Sequence, residues 1–147
     1  MNKIKVLFVC VHNSARSQMA EAFLNSYGSE SFQAESAGLE PGNLNPMVVQ
    51  VMREIGFDIS QNETNSVFDF FKQERKYNFV ITVCDGSNSE RCPIFPGRVQ
   101  RIHWSFADPS SFKGSDADKL EKTRKVRDQI KKQILEFIAE KKNLLES

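Results

Sequence analysis

The segment from Cys10 to Ser17 carries the residues of this chain best suited to chemistry, in the spacing Cys-x5-Arg-Ser. A cysteine thiolate is a strong nucleophile, and the guanidinium of Arg16 can grip a tetrahedral oxyanion through two parallel hydrogen bonds. The spacing alone is a weak signal, because a Cys-x5-Arg arises by chance in a chain of this composition with odds of roughly one in six. Its meaning depends on the elements that flank it.

Those elements are a buried strand and a helix. Residues 4–9 (IKVLFV) are mostly apolar and rich in β-branched side chains, as in a strand buried on both faces. From Ser17 onward apolar residues follow helical spacing up to a cap at Gly28. In such a turn the backbone N–H groups and the helix N-terminus favour an anion, and the same field favours the Cys10 thiolate. The predicted oxyanion cradle comprises Val11, His12, Asn13, Ser14, Ala15, Arg16 and Ser17. The alternative is an inert buried cysteine beside a surface arginine.

The rest of the chain alternates strand-like and helix-like segments. Further strands are predicted over residues 32–36, 79–83 and 99–104, and helices over 48–56, 66–71 and 120–138. This order predicts one α/β domain over residues 1–147, a three-layer fold with a mostly parallel sheet of about four strands. Ligands of such sheets bind beyond the carboxyl ends of the strands.

Three more candidate residues follow the later strands. Cys84 directly follows the third strand and Asp108 lies after the fourth, so we expect both at the same sheet edge as Cys10. Cys92 lies in the loop CDGSNSERCPIFPGR, whose composition predicts mobility. Cys84 could instead be core packing and Asp108 a turn starter before Pro109, whereas a thiol in this polar loop has no expected packing role. The spacings contain no short cysteine pair typical of zinc sites, so no metal is expected.

The chain resembles the low-molecular-weight protein tyrosine phosphatase family in the strand end FVC, the loop CVHNSARS, the following QMAEAF, the SAG at 36–38 and Asp108-Pro109. Within this family it is most similar to the arsenate reductases that thioredoxin recycles, a similarity that extends to DIS at 58–60, Cys92-Pro93 and HWSFADP at 103–109. The resemblance covers nearly the whole chain and implies the phosphatase-like α/β fold.

The resemblance also implies a reaction. Cys10 attacks arsenate while Asp108 protonates the departing oxygen, Cys84 attacks the Cys10 sulfur as arsenite leaves, and Cys92 then forms a disulfide with Cys84 that thioredoxin reduces. Ser17 would donate a hydrogen bond to the thiolate, and phosphate or sulfate would compete with arsenate. Such chemistry serves arsenic detoxification and needs no tightly bound cofactor.

The sequence departs from the family pattern in four places. His12 stands where many relatives have glycine, a backbone position that a histidine tolerates less well. Ala15 replaces a residue that is cysteine in some relatives. Some relatives bind potassium through residues matching Asn13, Glu21 and Ser36 with a later threonine and aspartate, but QNETNSV at 61–67 lacks that aspartate, so the potassium site does not carry over intact. Ser110 and Ser111 replace the tyrosines that hold aromatic substrates in the phosphatases.

Composition and charge exclude several classes of binding partner. Two functions other than arsenate reduction remain open. A net charge of +1 provides no global field for nucleic acid or membrane, no run of about 18 apolar residues occurs, and the start MNKIKVLFVC lacks the pattern of a signal peptide. We therefore expect a cytoplasmic protein, monomeric by default. One alternative is a tyrosine phosphatase in which Cys84 and Cys92 protect the nucleophile by reversible oxidation. The other is a non-catalytic oxyanion or redox sensor.

Overall fold

Four parallel strands form one sheet in the computed structural model, which describes residues 3–84 and 91–143. In chain order the strands are β1 (Ile4–Cys10), β2 (Phe32–Gly38), β3 (Phe79–Thr82) and β4 (Gln100–His103), and they lie in the order β2-β1-β3-β4. The helices are α1 (Arg16–Tyr27), α2 (Pro46–Arg53), α3 (Val67–Lys72) and α4 (Asp116–Lys141), with a 3₁₀ turn over Pro109–Ser111. The predicted α/β fold with a four-stranded parallel sheet is confirmed.

The strand register brings the chemistry-bearing loops together. Cys10 at the end of β1 pairs with Gly38 at the end of β2, and Val9 pairs with Thr82 near the end of β3. Because all four strands are parallel, the loops that follow them leave from one edge of the sheet. The central strand β1 is buried almost throughout, which explains its nearly continuous apolar sequence.

The two faces of the sheet support separate apolar clusters. Val6 and Phe8 of β1 belong to the larger cluster, which is covered by α1, α2 and α4 through residues such as Met19, Met52 and Ile130. Leu7 and Val9, pointing the other way, belong to a smaller cluster with Val67 and Phe70 of α3 and with Phe95. No helix in the described ranges is both long and apolar enough to cross a membrane.

The limits of several predicted elements differ from those observed, and α4, for example, spans Asp116–Lys141 rather than 120–138. α2 ends at Arg53 rather than near Gly56, because the N–H of Phe57 bonds back to the Met52 carbonyl at 3.0 Å and Gly56 adopts φ +90°. Ile55, expected on the buried stripe, is 36% exposed. β4 is shorter than the predicted strand over 99–104. Of the predicted mobile loop, residues 85–90 lie outside the described residues, and residues 91–98 form turns and bends.

Candidate active site

The backbone carbonyl groups of the loop between β1 and α1 anchor this loop to the segment 39–45. The carbonyls of Cys10, Val11, His12 and Ser14 accept hydrogen bonds of 2.7–3.1 Å from the backbone N–H groups of Leu39, Glu40, Gly42 and Asn45, respectively. Within the described residues, the amides of Val11, His12, Ser14 and Ala15 donate to no protein acceptor. A ring of free N–H donors beside a helix N-terminus is suited to an oxyanion.

The Cys10 sulfur lies within reach of two donors. The backbone N–H of Asn13 donates to Sγ at 3.2 Å, and Ser17 Oγ lies 2.9 Å from it. Since Asn13 Nδ2 donates to Ser17 Oγ at 2.8 Å, the Ser17 hydroxyl proton is best placed towards the sulfur. These two contacts fix the position of the buried sulfur at the start of the loop.

The side chain of Asn13 makes hydrogen bonds that order the loop, and the backbone of Asn13 adopts a left-handed conformation. Its φ of 55° lies in the left-handed region, where asparagine is enriched, whereas the sequence had placed the unusual backbone at His12. That expectation for His12 is wrong, and its exposed ring instead bonds the Glu40 carbonyl through Nδ1 at 2.8 Å. Asn13 Oδ1 accepts from the backbone N–H of Asn65 at 2.9 Å, which fixes the amide orientation.

Arg16 and Asp108 meet across the mouth of the loop. Arg16 is 4% exposed, donates from Nη1 to the Phe106 carbonyl at 3.1 Å, and places Nη2 3.7 Å from Asp108 Oδ2. Asp108 Oδ1 accepts from the Ser110 backbone N–H and hydroxyl at 3.0 and 2.8 Å. One carboxylate oxygen of Asp108 therefore starts a turn, as the alternative interpretation of this residue predicted. The other oxygen faces Arg16 of the loop.

The three cysteines form no disulfide and are buried, and they belong to two apolar clusters. Cys10 and Cys84 belong to the larger apolar cluster, at the ends of the neighbouring strands β1 and β3. Cys92 belongs to the smaller cluster on the other face of the sheet, with Phe95. Cys10 and Cys84 thus lie at one edge of the sheet, and Cys92, although packed in the other cluster, is near enough to Cys84 to interact with it electrostatically.

The environment of Cys92 corrects one expectation. A packing role was not expected for a thiol in this polar loop, yet Cys92 is 4% exposed because Phe95 and the β-sheet cover it. Burial raises the pKa of the Cys92 thiol to about 11, while the positive charge of Arg101 opposes that rise. Arg101 also donates from Nη2 to the Cys92 carbonyl at 3.4 Å. Cys92 is thus held as a protonated, packed thiol in this conformation.

The polar side chains in and beside the loop include Asn13, Glu21 and Ser36, which match the potassium ligands of some relatives. Ser36 Oγ is buried without a hydrogen-bond partner of normal geometry among the described residues, and burial raises the pKa of the nearby Glu21 carboxyl to about 7, partly offset by Ser36. Asn13 Oδ1 accepts a hydrogen bond from the backbone N–H of Asn65, and Thr64 Oγ1 donates to the Gly42 carbonyl at 2.6 Å. The missing aspartate in the segment 61–67 remains the argument against a potassium site. No group of three or more His, Cys, Asp or Glu side chains in the described ranges could hold a metal ion.

Several supporting residues were missed by sequence reasoning. Gln18, 1% exposed, donates to Asn13 and to the Glu63 carbonyl, both at 3.1 Å, and so ties the loop to the segment before α3. A β-carbon on Gly38 would lie 2.8 Å from backbone atoms of the loop. Both residues lie in motifs that the family resemblance had used, QMAEAF and SAG. Their membership of these two motifs was the signal in the sequence that could have indicated their role in supporting the loop.

Comparisons with known proteins agree with this geometry. The sequence profile of the low molecular weight phosphotyrosine protein phosphatase family matches residues 5–145. An arsenate reductase of Halalkalibacterium halodurans is 39% identical over 137 residues, which are 93% of this chain and 96% of that protein. A solved arsenate reductase in its phosphate-binding state has a TM-score of 0.73 and 32% identity, covering 93% of this chain and 98% of the other.

A thioredoxin-dependent arsenate reductase of Corynebacterium glutamicum is also similar in structure, with a TM-score of 0.63 and 28% identity. That comparison covers 90% of this chain and 62% of the other. The loop after β1, the parallel sheet and these similarities over most of the chain lead to one conclusion. The chain belongs to the low molecular weight phosphotyrosine protein phosphatase family, in which it is similar to arsenate reductases.

Proposed function

We propose that this protein reduces arsenate to arsenite through Cys10, Cys84 and Cys92, with thioredoxin as the electron donor. The observation that carries the proposal is the position of two buried thiols at the ends of paired strands. Cys10 ends β1, Cys84 follows β3 by two residues, and the register pairs Val9 with Thr82. A phosphatase needs only the Cys10 thiol. A thiol-based reductase needs a second thiol that can reach the covalent adduct formed between Cys10 and the substrate.

The first step uses the loop after β1. The Cys10 thiolate attacks arsenic, an oxygen leaves as water after taking a proton from Asp108, and a Cys10–arsenic bond forms. Arg16 and the free amides of the loop hold the remaining oxygens. Phosphate and sulfate have the same tetrahedral shape, so they compete for this site.

The second and third steps transfer two electrons. The Cys84 thiolate attacks the Cys10 sulfur, the electron pair of the sulfur–arsenic bond passes to arsenic, and arsenite leaves a Cys10–Cys84 disulfide. Cys92 then attacks Cys84, releases the Cys10 thiolate and forms a Cys84–Cys92 disulfide. Thioredoxin reduces that disulfide and becomes oxidised itself.

The buried position of Cys92 makes the third step depend on movement. Its sulfur is buried in the smaller cluster near Cys84, and its high pKa leaves little thiolate at neutral pH. Movement of the segment 91–95 out of this cluster would expose the Cys92 sulfur and allow the thiolate that attacks Cys84 to form. We propose that this exposes the new disulfide to thioredoxin, a donor supported by the similar protein of Corynebacterium glutamicum that is thioredoxin-dependent. The setting is arsenic detoxification by a cytoplasmic monomer.

The test is arsenate-dependent NADPH oxidation with thioredoxin and thioredoxin reductase, run beside hydrolysis of an aryl phosphate by the same preparation. The wild-type protein should consume NADPH continuously. Cys10→Ser should lose both activities, and Cys84→Ser should lose NADPH consumption. Cys92→Ser should release at most one arsenite per protein and leave any phosphate hydrolysis unchanged.

Two results would change the assignment. Repeated turnover by Cys92→Ser with thioredoxin would contradict the three-cysteine relay. Rapid phosphate hydrolysis without arsenate-dependent electron flow would make the protein a phosphatase, with Cys84 and Cys92 in a protective role. Release of arsenite in a single turnover would in turn exclude the non-catalytic sensor.

A further inference from the structure

A basic cavity of about 520 Å³ lies at the edge of the sheet opposite Cys10. It is formed where β1 begins, just before β3 begins, and by the turn that precedes β4. Lys3, Lys5, Lys76 and Arg98 line it, and no carboxylate does. Its volume falls within the range usual for small-molecule sites, about 300–1,000 Å³.

The four cations of this cavity have no counterions within the part of the chain that the structure describes. None of them takes part in an ion pair there, whereas the neighbouring Arg75 is paired with Glu35. The chain as a whole carries a net charge of only +1, so this concentration is local. Like charges gathered around a concave surface create a potential that attracts anions.

The floor of the cavity is rigid and presents hydrogen-bond donors. Asn78 donates its backbone N–H to the Lys5 carbonyl at 2.8 Å and accepts the Lys5 N–H on Oδ1 at 2.8 Å. The Asn78 carbonyl accepts from the Gln100 N–H at 3.0 Å, which joins the floor to β4. Asn78 lines the cavity, and its side-chain amide nitrogen donates to no acceptor within the described residues. Donors from lysine, arginine and amide groups suit a ligand that only accepts.

A second cavity of about 510 Å³ adjoins the first and shares Asn78 and Arg98 with it. Its other lining residues include Phe79 and Val99, which add apolar surface. Lys141 Nζ lies 5.8 Å from the centre of the Phe79 ring and adds a further positive charge nearby. The pair of cavities therefore has room for a charged chain and for a flat, less polar group beside it.

From this juxtaposition we propose that the cavity around Lys5 and Arg98 binds a polyphosphate chain, either free or carried by a nucleotide. The site is separate from the cradle after β1, and it does not depend on the proposed reductase activity. A polyphosphate offers several acceptor oxygens to the donors of Lys3, Lys5, Lys76 and Arg98.

The experiment follows the backbone amide signals of the ¹⁵N-labelled full chain by NMR during titration with tripolyphosphate or with ATP, at 0.15 M salt. Saturable shifts are expected at Lys5, Asn78, Gly97 and Arg98. The double variant Lys5→Gln/Arg98→Gln should bind at least about tenfold more weakly, because two charge-assisted contacts are lost. The control Lys125→Gln/Lys132→Gln loses the same charge from exposed positions on α4 and should bind as the wild type does. Thermal unfolding checks that each variant is folded.

The two titrants separate the sources of the phosphate chain. Equal affinities, with shifts limited to the first cavity, support a free polyphosphate; tighter binding of ATP, with further shifts at Phe79 and Val99, supports a nucleotide. Three outcomes overturn the proposal: shifts limited to residues 10–17, no saturation at millimolar titrant, or equal weakening in the control variant. The first of these would reflect oxyanion binding at the cradle alone.

Discussion

Ser17 Oγ lies 2.9 Å from Cys10 Sγ while it accepts a hydrogen bond from Asn13 Nδ2, so one hydroxyl links the nucleophile to the residue that shapes its loop. Ser17→Ala removes this donor from the sulfur. A hydrogen bond to a charged group contributes about 1.5–3 kcal/mol, so alkylation of Cys10 by iodoacetamide at pH 7 should slow roughly tenfold or more. Mass mapping of the labelled cysteine gives the rate.

The matched control is Ser14→Ala in the same loop, since the Ser14 hydroxyl makes no bond to the Cys10 sulfur in the described structure. Its alkylation rate should stay within about twofold of the wild type. Equal slowing in both variants would mean that the hydroxyls act through loop shape rather than on the sulfur.

Gly38 and Gly42 provide a comparison of loop packing. A β-carbon at Gly38 would meet Asn13 N and Val11 O at 2.8 Å, both backbone atoms that cannot move alone, whereas at Gly42 the nearest atom is His12 Cβ at 3.5 Å. Gly38→Ala should therefore lose about 1–3 kcal/mol of unfolding free energy and weaken phosphate binding. Gly42→Ala should stay within about 0.5 kcal/mol. Urea unfolding and phosphate calorimetry measure the two effects, and similar losses in both variants would contradict the proposed contact.

Asp108→Asn separates proton donation from turn formation. The asparagine keeps an oxygen that can accept from Ser110, but it cannot supply a proton to the departing oxygen of the substrate. We expect arsenate-dependent kcat/KM to fall by about 10²–10⁴, the usual contribution of a general acid. Ser110→Ala, which weakens only the turn, should retain most of the activity. If Ser110→Ala loses as much as Asp108→Asn, the carboxyl serves the turn alone.

Glu21 should make the stability of the protein depend on pH. Burial raises its pKa from 4.5 to about 7, so the folded state holds a proton between these values that the unfolded state has released. Its contribution to the free energy of unfolding is therefore fully present below about pH 4.5 and is lost as the pH rises through 7. The size of the shift corresponds to about 3 kcal/mol.

Glu21→Gln removes this titration. Relative to the wild type, the variant should gain roughly 2–3 kcal/mol in unfolding free energy between pH 5 and pH 8, measured by urea unfolding. Glu30→Gln, at an exposed position, is the control and should follow the wild type at both pH values. Parallel curves for wild type and Glu21→Gln would show that the carboxyl is not desolvated in solution.

The order of elements and the sheet edge that carries the site could be predicted because local patterns determine them. The apolar run before Cys10 and the helical spacing after Ser17 are local signals, and parallel strands then place Cys10, Cys84 and Asp108 at one edge. The end of α2 could not be placed in this way. Its apolar spacing continues to Ile55, while the chain reverses through the bond from Phe57 to Met52.

The burial of Cys92 depended on contacts distant in sequence. The loop before it is rich in Gly, Ser and Asp, so composition indicated an exposed thiol, but Cys92 joins the apolar cluster that contains Leu7 and Val9 of β1. The left-handed backbone at Asn13 was also not predicted, and its side chain accepts a hydrogen bond from Asn65, 52 residues away. Both positions involve contacts between residues far apart in the sequence.

The burial of Cys84 and Cys92 also affects their reaction with oxidants. Both are 4% exposed or less, so dissolved peroxide has little access to their sulfurs in this conformation. Irreversible conversion to sulfinic acid and mixed disulfides with other thiols both need such access. Burial therefore protects from oxidants the two thiols that the proposed relay uses last.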